Sequence, residues 1–189
     1  MSRYPGLKIT LVAISPYVVH PVHAAMAAAT LDEFFPGRIS LCLGVGAPAD
    51  LANVGVETPA PLGPMRESLQ ICRALFMVET VEHKGKRFKS SGRALSSGRH
   101  DIPLLLAASG PKMLQLAGTH ADGVLLSAGA SVEFVRWSLT QVSTNPLPNN
   151  FQRHGLVYAS VADDTKTAFD RVRRVLATTL RGEHHRHNL

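Results

Sequence analysis

Two short segments, each directly behind an apolar run, hold the residues best suited to grip an anion. The first is Ala107-Ala108-Ser109-Gly110-Pro111. It lies between an apolar strand-like run and a helix-like one. Amides at Ser109 and Gly110 would then be free, with a helix dipole behind them and the Ser109 hydroxyl beside them. A serine cap and tight turn with no ligand explains the same residues equally well. The second is Gly44-Val45-Gly46. It starts like a dinucleotide fingerprint, but Ala49 holds the third glycine's place. Pro48, Pro59, Pro61 and Gly63 are expected to keep a helix from opening there. The glycines are therefore read as letting a ligand or a neighbouring loop come close to a strand end.

Other chemistry-bearing residues are scattered. His20 and His23 flank Pro21, but no further ligand spacing completes a metal site. His20 falls at a strand-to-helix turn and is a candidate cofactor or substrate contact, whereas His23 reads as structural. His184, His185 and His187 lie in a polar tail, 182–189. Cys42 and Cys72 have apolar neighbours and no CxxC spacing, so they read as reduced core residues of a cytosolic protein. Asp32, Glu33 and Glu67 form no evident catalytic carboxylate pair. Glu67 suits a helix N-terminus, and Asp122 reads as a structural turn residue. No G-x-S-x-G elbow or Walker A motif occurs, and no metal site is expected.

The elements that must position these residues alternate. Leu7–Ile14, Ile39–Leu43, Ile102–Ala107, Gly123–Leu126 and Gly155–Ala162 read as strands. Helices are expected over Pro21–Phe34, from Pro64 through Phe76, over Lys112–His120 and over Val132–Val142. Asp163 or Asp164 should cap a last helix, with Phe169, Val172, Leu176 and Leu180 as its stripe. Residues 47–63, 90–101 and 143–150 read as loops. Val81 to Lys89 fits a small hairpin turning near Lys84-Gly85, within an inserted segment at 78–101. Short continuous apolar strands separated by helices mean an α/β fold with a parallel sheet, either open and doubly wound or closed as a barrel.

Composition agrees with a folded domain. Of 189 residues, 45% are hydrophobic and 18% charged. That is ample apolar matter for a core, with somewhat fewer charges than usual. The net charge of +6 permits anionic partners. The basic groups at Lys84–Lys89 and Arg171–Arg181 lack interleaved stacking aromatics, so nucleic acid is not expected. No apolar run reaches transmembrane length, and the first residues show no signal-peptide core.

The ordered set of motifs resembles a known family. Pro16-Tyr17 and His20-Pro21 come first, then Ala24 to Glu33 leading into Pro36-Gly37-Arg38. Leu43-Gly44-Val45-Gly46 and the Arg66-Glu67 helix follow, then Val81 and Gly85–Phe88. The set ends with Ala107–Met113 running to Ala121-Asp122-Gly123-Val124. Together they are similar to the luciferase-like flavin or deazaflavin monooxygenases and oxidoreductases. Within these they lie nearest the coenzyme F420-dependent reductases that include methylenetetrahydromethanopterin reductase.

That resemblance implies a TIM-type (β/α)8 barrel with the cofactor ring across its C-terminal mouth. The cofactor's phosphate would be held after the family's fifth strand, at Ala107, Ala108, Ser109 and Gly110. Further contacts would come from Leu125 or Leu126, from Ala13 and Ser15, and from Gly44. Many members carry a cis-peptide bulge at a glycine in the strand matching Leu7–Ile14. Val12-Ala13 stands at that place here, so no such bulge is expected. The resemblance covers about five βα units of a single, partial barrel, with two units before them and one after them lacking. The implied activity is hydride transfer with F420 on a small-molecule substrate. The alternatives are an FMN-dependent monooxygenase of the same fold, or an inactive remnant or partner subunit. A homo-oligomer is compatible with all three.

Overall fold

The structure is a computed structural model, described here for residues 4–77, 79–96, 101–127, 131–143 and 146–179. The polar tail with its three histidines, and Leu180, lie outside these residues.

Five strands make one parallel sheet: β1 (Ile9–Ile14), β2 (Ile39–Leu43), β5 (Leu104–Ala107), β6 (Gly123–Leu126) and β7 (Gln152–Gly155). They lie side by side in the order β1-β2-β5-β6-β7. Helices α1 (Pro21–Phe34), α3 (Leu62–Phe76), α4 (Pro111–His120) and α5 (Val132–Val142) connect them. A short helix α2 (Pro48–Asn53) precedes α3, and α6 (Thr165–Thr179) follows β7. An antiparallel ribbon, β3 (Val81–Lys84) with β4 (Lys89–Arg93), sits between α3 and β5.

The strand period of two sorts the side chains. Leu41, Leu43, Leu104, Leu106, Val124 and Leu126 point toward the helices and join one large core. Cys42, Leu105 and Leu125 form a separate, smaller cluster on the opposite face, with Ala107 packed against it. Helices therefore cover one face only, which is the layering of a barrel wall rather than of a doubly wound sheet. The alanines of α1 (Ala24, Ala25, Ala28, Ala29) are buried and let α1 pack closely on α3. On α3, burial of Leu69, Leu75 and Phe76 contributes roughly 1.5–3 kcal/mol per side chain. In α4, a Cβ at Gly118 would overlap the carbonyl oxygen of Val142, so α4 and α5 touch backbone to backbone.

Several expectations need correction. Pro48 opens α2 instead of blocking a helix, because proline at the first helical position forfeits no hydrogen bond. β4 runs through Ser90–Arg93, which reads as loop. The Glu82 carboxylate substitutes for apolar pairing there, accepting from Ser91 Oγ and the Gly92 amide. β7 lies at Gln152–Gly155, not at 155–162. Its ladder ends where β6 ends, with Leu126 opposite Gly155. Val157 and Val161 beyond it are 82% and 91% exposed, so their apolar character pairs with nothing in the sheet. α6 carries the expected pattern, and Asp164 caps it by accepting from Thr167 N and Oγ1. Its stripe is nevertheless not core, since Phe169 is exposed and Val172 and Leu176 are only partly covered.

Candidate functional site

Parallel pairing brings all five strand C-termini to one side, and a cavity of 480 Å³ opens there. Its floor is built from the smallest side chains of three neighbouring strands. Ala13 comes from β1, Gly44 from the end of β2 and Ala107 from β5. A Cβ added to Gly44 would stand 2.9 Å from the Ala13 Cβ and 3.2 Å from the Ala107 Cβ. Only glycine leaves this strip flat. Gly46, at φ +90°, then turns the chain in the left-handed region that glycine tolerates.

β1 is irregular at this point. Leu11 pairs with Leu41 and Ile14 with Leu43, so β1 spends three steps where β2 spends two. The extra residue makes a β-bulge with trans peptides, and no cis peptide occurs among the described residues. A bulge suspends strict alternation. Consecutive residues Val12 and Ala13 accordingly both line the cavity.

The rim beyond Ala107 is the turn that leads into α4. Ala108 N–H is spent on Leu125 O at 3.1 Å, while the Ser109 and Gly110 amides donate to no other described residue. Pro111 opens α4 directly behind them, and Gly110 O accepts from the Met113 and Leu114 amides. Free amides ahead of a helix N-terminus favour a phosphate-sized anion.

Of the residues singled out from sequence, Ala13, Gly44, Ala107, Ala108, Ser109, Gly110 and Leu125 share this cavity. Three others lie elsewhere. Leu126 follows Leu125 by one step and is buried on the helix side. Ser15 donates to Val45 O at 2.7 Å, tying the loop after β1 to the end of β2. His20 is the N-cap of α1, its Nδ1 accepting from Val22 N at 3.3 Å, with its ring edge-on to Phe88. Burial, with a smaller contribution from His23, lowers the His20 pKa. Met113, Ser127 and Leu156 also line the cavity. Nothing in the local sequence marks Ser127 and Leu156, because pairing across the sheet gathers them.

The cysteines are not nucleophiles. Burial pushes both thiols up to about 12. Among the described residues, no three His, Cys, Asp or Glu side chains converge as a metal-binding group. Asp122 holds the opposite end of the sheet, accepting from the Leu104 amide and pairing with Arg73 Nη1, both at 2.8 Å.

A second, larger space of 840 Å³ adjoins the cavity at Gly110 and Met113. It runs between Pro59–Pro61 with the first turn of α3 on one side and the turn of the β3–β4 ribbon on the other. Glu67 organises that turn. Its carboxylate accepts from the Lys86, Arg87 and Phe88 amides at 2.9, 3.1 and 2.9 Å. Burial alone would raise the Glu67 pKa, but those backbone bonds outweigh it and hold the group below its ordinary value. Arg87 lies over the Tyr17 ring, 5.2 Å from its centroid. Tyr17 Oη in turn donates to Pro59 O at 3.4 Å.

A one-faced parallel wall with free turn amides and a glycine-floored cavity at its strand C-termini is the mouth of a TIM-type barrel, present here over five strands. Comparison with known proteins agrees. The family model of luciferase-like monooxygenases matches residues 5–188, and the chain belongs to that family. It is 37% identical over 120 residues to 5,10-methylenetetrahydromethanopterin reductase of Archaeoglobus fulgidus, which covers 64% of this chain and 36% of that protein. The coenzyme F420-dependent tetrahydromethanopterin reductase of Methanopyrus kandleri superposes with a TM-score of 0.80 at 23% identity. That match covers 92% of this chain and 56% of the other. A monooxygenase of Streptomyces bottropensis gives a TM-score of 0.71 at 20% identity, over 95% and 60% of the two chains. The chain thus spans well under two thirds of these relatives. Among the described residues no helix is long and apolar enough to cross a membrane.

Proposed function

We propose that this chain supplies the cofactor-holding wall of a hydride-transferring oxidoreductase that uses coenzyme F420. The observation that carries the reading is the pairing, in one cavity, of a floor without side chains at Gly44 with free amides at Ser109 and Gly110. A flat ring needs the first, and a phosphate some way along the same molecule needs the second. Ala13, Gly44, Ala107 and Leu125 would face the ring. The Ser109 and Gly110 amides would hold the phosphate, with the Ser109 hydroxyl as an added donor. The chemistry supplied by bound F420 is hydride exchange between its C5 and a substrate carbon, while the protein gives position. The similarity to the F420-dependent glucose-6-phosphate dehydrogenase of Nakamurella multipartita, 31% identical over 114 residues, supports this choice of cofactor.

An FMN-dependent monooxygenase is the second reading. The same amides would serve a flavin's phosphate equally, and a monooxygenase shares the fold. Titrating the purified chain with F420 and with FMN, followed by cofactor fluorescence, separates the two. Saturable F420 binding with FMN at least about tenfold weaker is the expected result. The reverse order would favour the monooxygenase, and binding of neither would overturn the proposal.

A further inference from the structure

β1 reaches the mouth out of step with β2. Leu11 and Ile14 both pack against the helix-side core, three residues apart, where strict alternation brings a strand back to the same face after two. Alternation from Leu11 would turn Ile14 into the mouth beside Gly44. The bulge instead sends Ile14 to the helix side and sets the small Ala13 methyl next to Gly44. It also leaves Val12, the residue before Ala13, lining the same cavity with 47% of its surface exposed. β1 is an edge of the sheet, so Val12 stands at one end of the flat strip. Leu156, just past β7, lines the opposite flank and is 40% exposed. A β-branched side chain keeps few rotamers, so Val12 does not swing aside as a longer chain would. Where the family resemblance leads to a glycine, this chain carries a stiff apolar group.

We propose that Val12 fixes where a planar ligand lies along the strip. Its isopropyl group closes the β1 end, so a fused ring set down on Gly44 abuts it and extends across β5 toward Leu125. The inference rests on the F420 reading above and adds the residue that sets the ring's lateral position. Gly44, Ala107 and Leu125 belong to or directly follow three adjacent strands. At ordinary strand spacing the first and last lie about 10 Å apart, which is the scale of three six-membered rings fused in a row. A ligand with a single ring could shift along such a strip. A tricyclic one fills it, and the stop at Val12 then decides its register against the turn amides at Ser109 and Gly110.

The test makes two opposite substitutions at this exposed position and titrates each variant with F420 by deazaflavin fluorescence. Val12→Phe lays a larger group onto the strip, and F420 should bind about tenfold or more weakly, with circular dichroism and the urea midpoint unchanged. Val12→Gly uncovers the end of the ring. Its affinity should stay within about threefold of the parent's, while iodide quenches the bound deazaflavin more strongly than in the parent. That quenching reads the ring's exposure directly, so it decides the matter even where Val12→Phe disturbs folding. Parent-like affinity in a folded Val12→Phe variant, or parent-like quenching in Val12→Gly, would overturn the inference and leave the F420 reading standing. Failure of the parent chain to bind F420 would overturn that reading and this inference together.

Discussion

At Gly44 a single hydrogen keeps three strands in register with a flat strip between them. Gly44→Ala puts a methyl group 2.9 Å from the Ala13 Cβ. Overpacking of this kind costs about 1–3 kcal/mol, which urea denaturation will read. The same methyl projects into the mouth, so F420 affinity should fall about tenfold or more. Glu67 invites a different measurement. Glu67→Gln keeps the size but weakens the acceptor for three amides, with an expected loss of about 1–3 kcal/mol. Amide exchange at Lys86–Phe88 should rise with it.

Two histidines make stability depend on pH near neutrality. The pKa of His20 is lowered by burial and then by His23, and that of His120 by burial and then by Arg66. Both groups bind protons more readily unfolded than folded. Their contribution is therefore present above the unfolded value of about 6.5 and is lost as pH falls toward the lower folded values. Urea midpoints should drop between about pH 7.5 and 5.5, and a His20→Asn, His120→Gln double variant should flatten that slope.

Among the elements, β2, β5 and β6 sit at the centre of the sheet and carry its most buried residues. β7 and α6 carry few or none. Hydrogen exchange should be slowest in Leu41–Leu43 and Leu104–Leu106 and fastest in Thr165–Leu176, in proportion to buried apolar contact. The same gradient decides what was legible in the sequence. Ile39–Leu43 and Gly123–Leu126 announce themselves as continuous apolar runs because helices cover one face and a packed interior the other. β7, written Gln-Arg-His-Gly, is an edge strand whose identity comes from its partner β6, so its own residues give no sign of it. The ribbon's second strand is held by the Glu82 carboxylate rather than by apolar pairs, and hydropathy does not register that. At the site, the strand–turn–helix junction at Ala107–Pro111 was readable because its three parts follow one another in the chain. The bulge at Val12-Ala13 was not, since it exists only as a mismatch of steps between β1 and β2.

At the scale of the described residues as a whole, the sheet has two edges. β1 and β7 each have one strand neighbour, and Val12 and Leu156 stand 47% and 40% exposed near those edges. Unpaired edges beside apolar side chains promote association. Sedimentation velocity should show the chain's mean mass rising with concentration, and a strictly monomeric boundary at high concentration would contradict this. The mouth that these strands frame has a further consequence. Its lining runs from Val12 to Leu156 through alanine, glycine, serine, methionine and leucine, and no residue in it ionises. Such a surface can select a ring by shape but can neither donate nor withdraw a proton near neutral pH. Any acid or base that a reaction at this mouth requires must enter from outside the floor, with the substrate, from solvent or from the open side of the wall. Any change in ring affinity between about pH 6 and 9 should therefore follow the ligand's own ionisation, because side chains of these types do not titrate in that range.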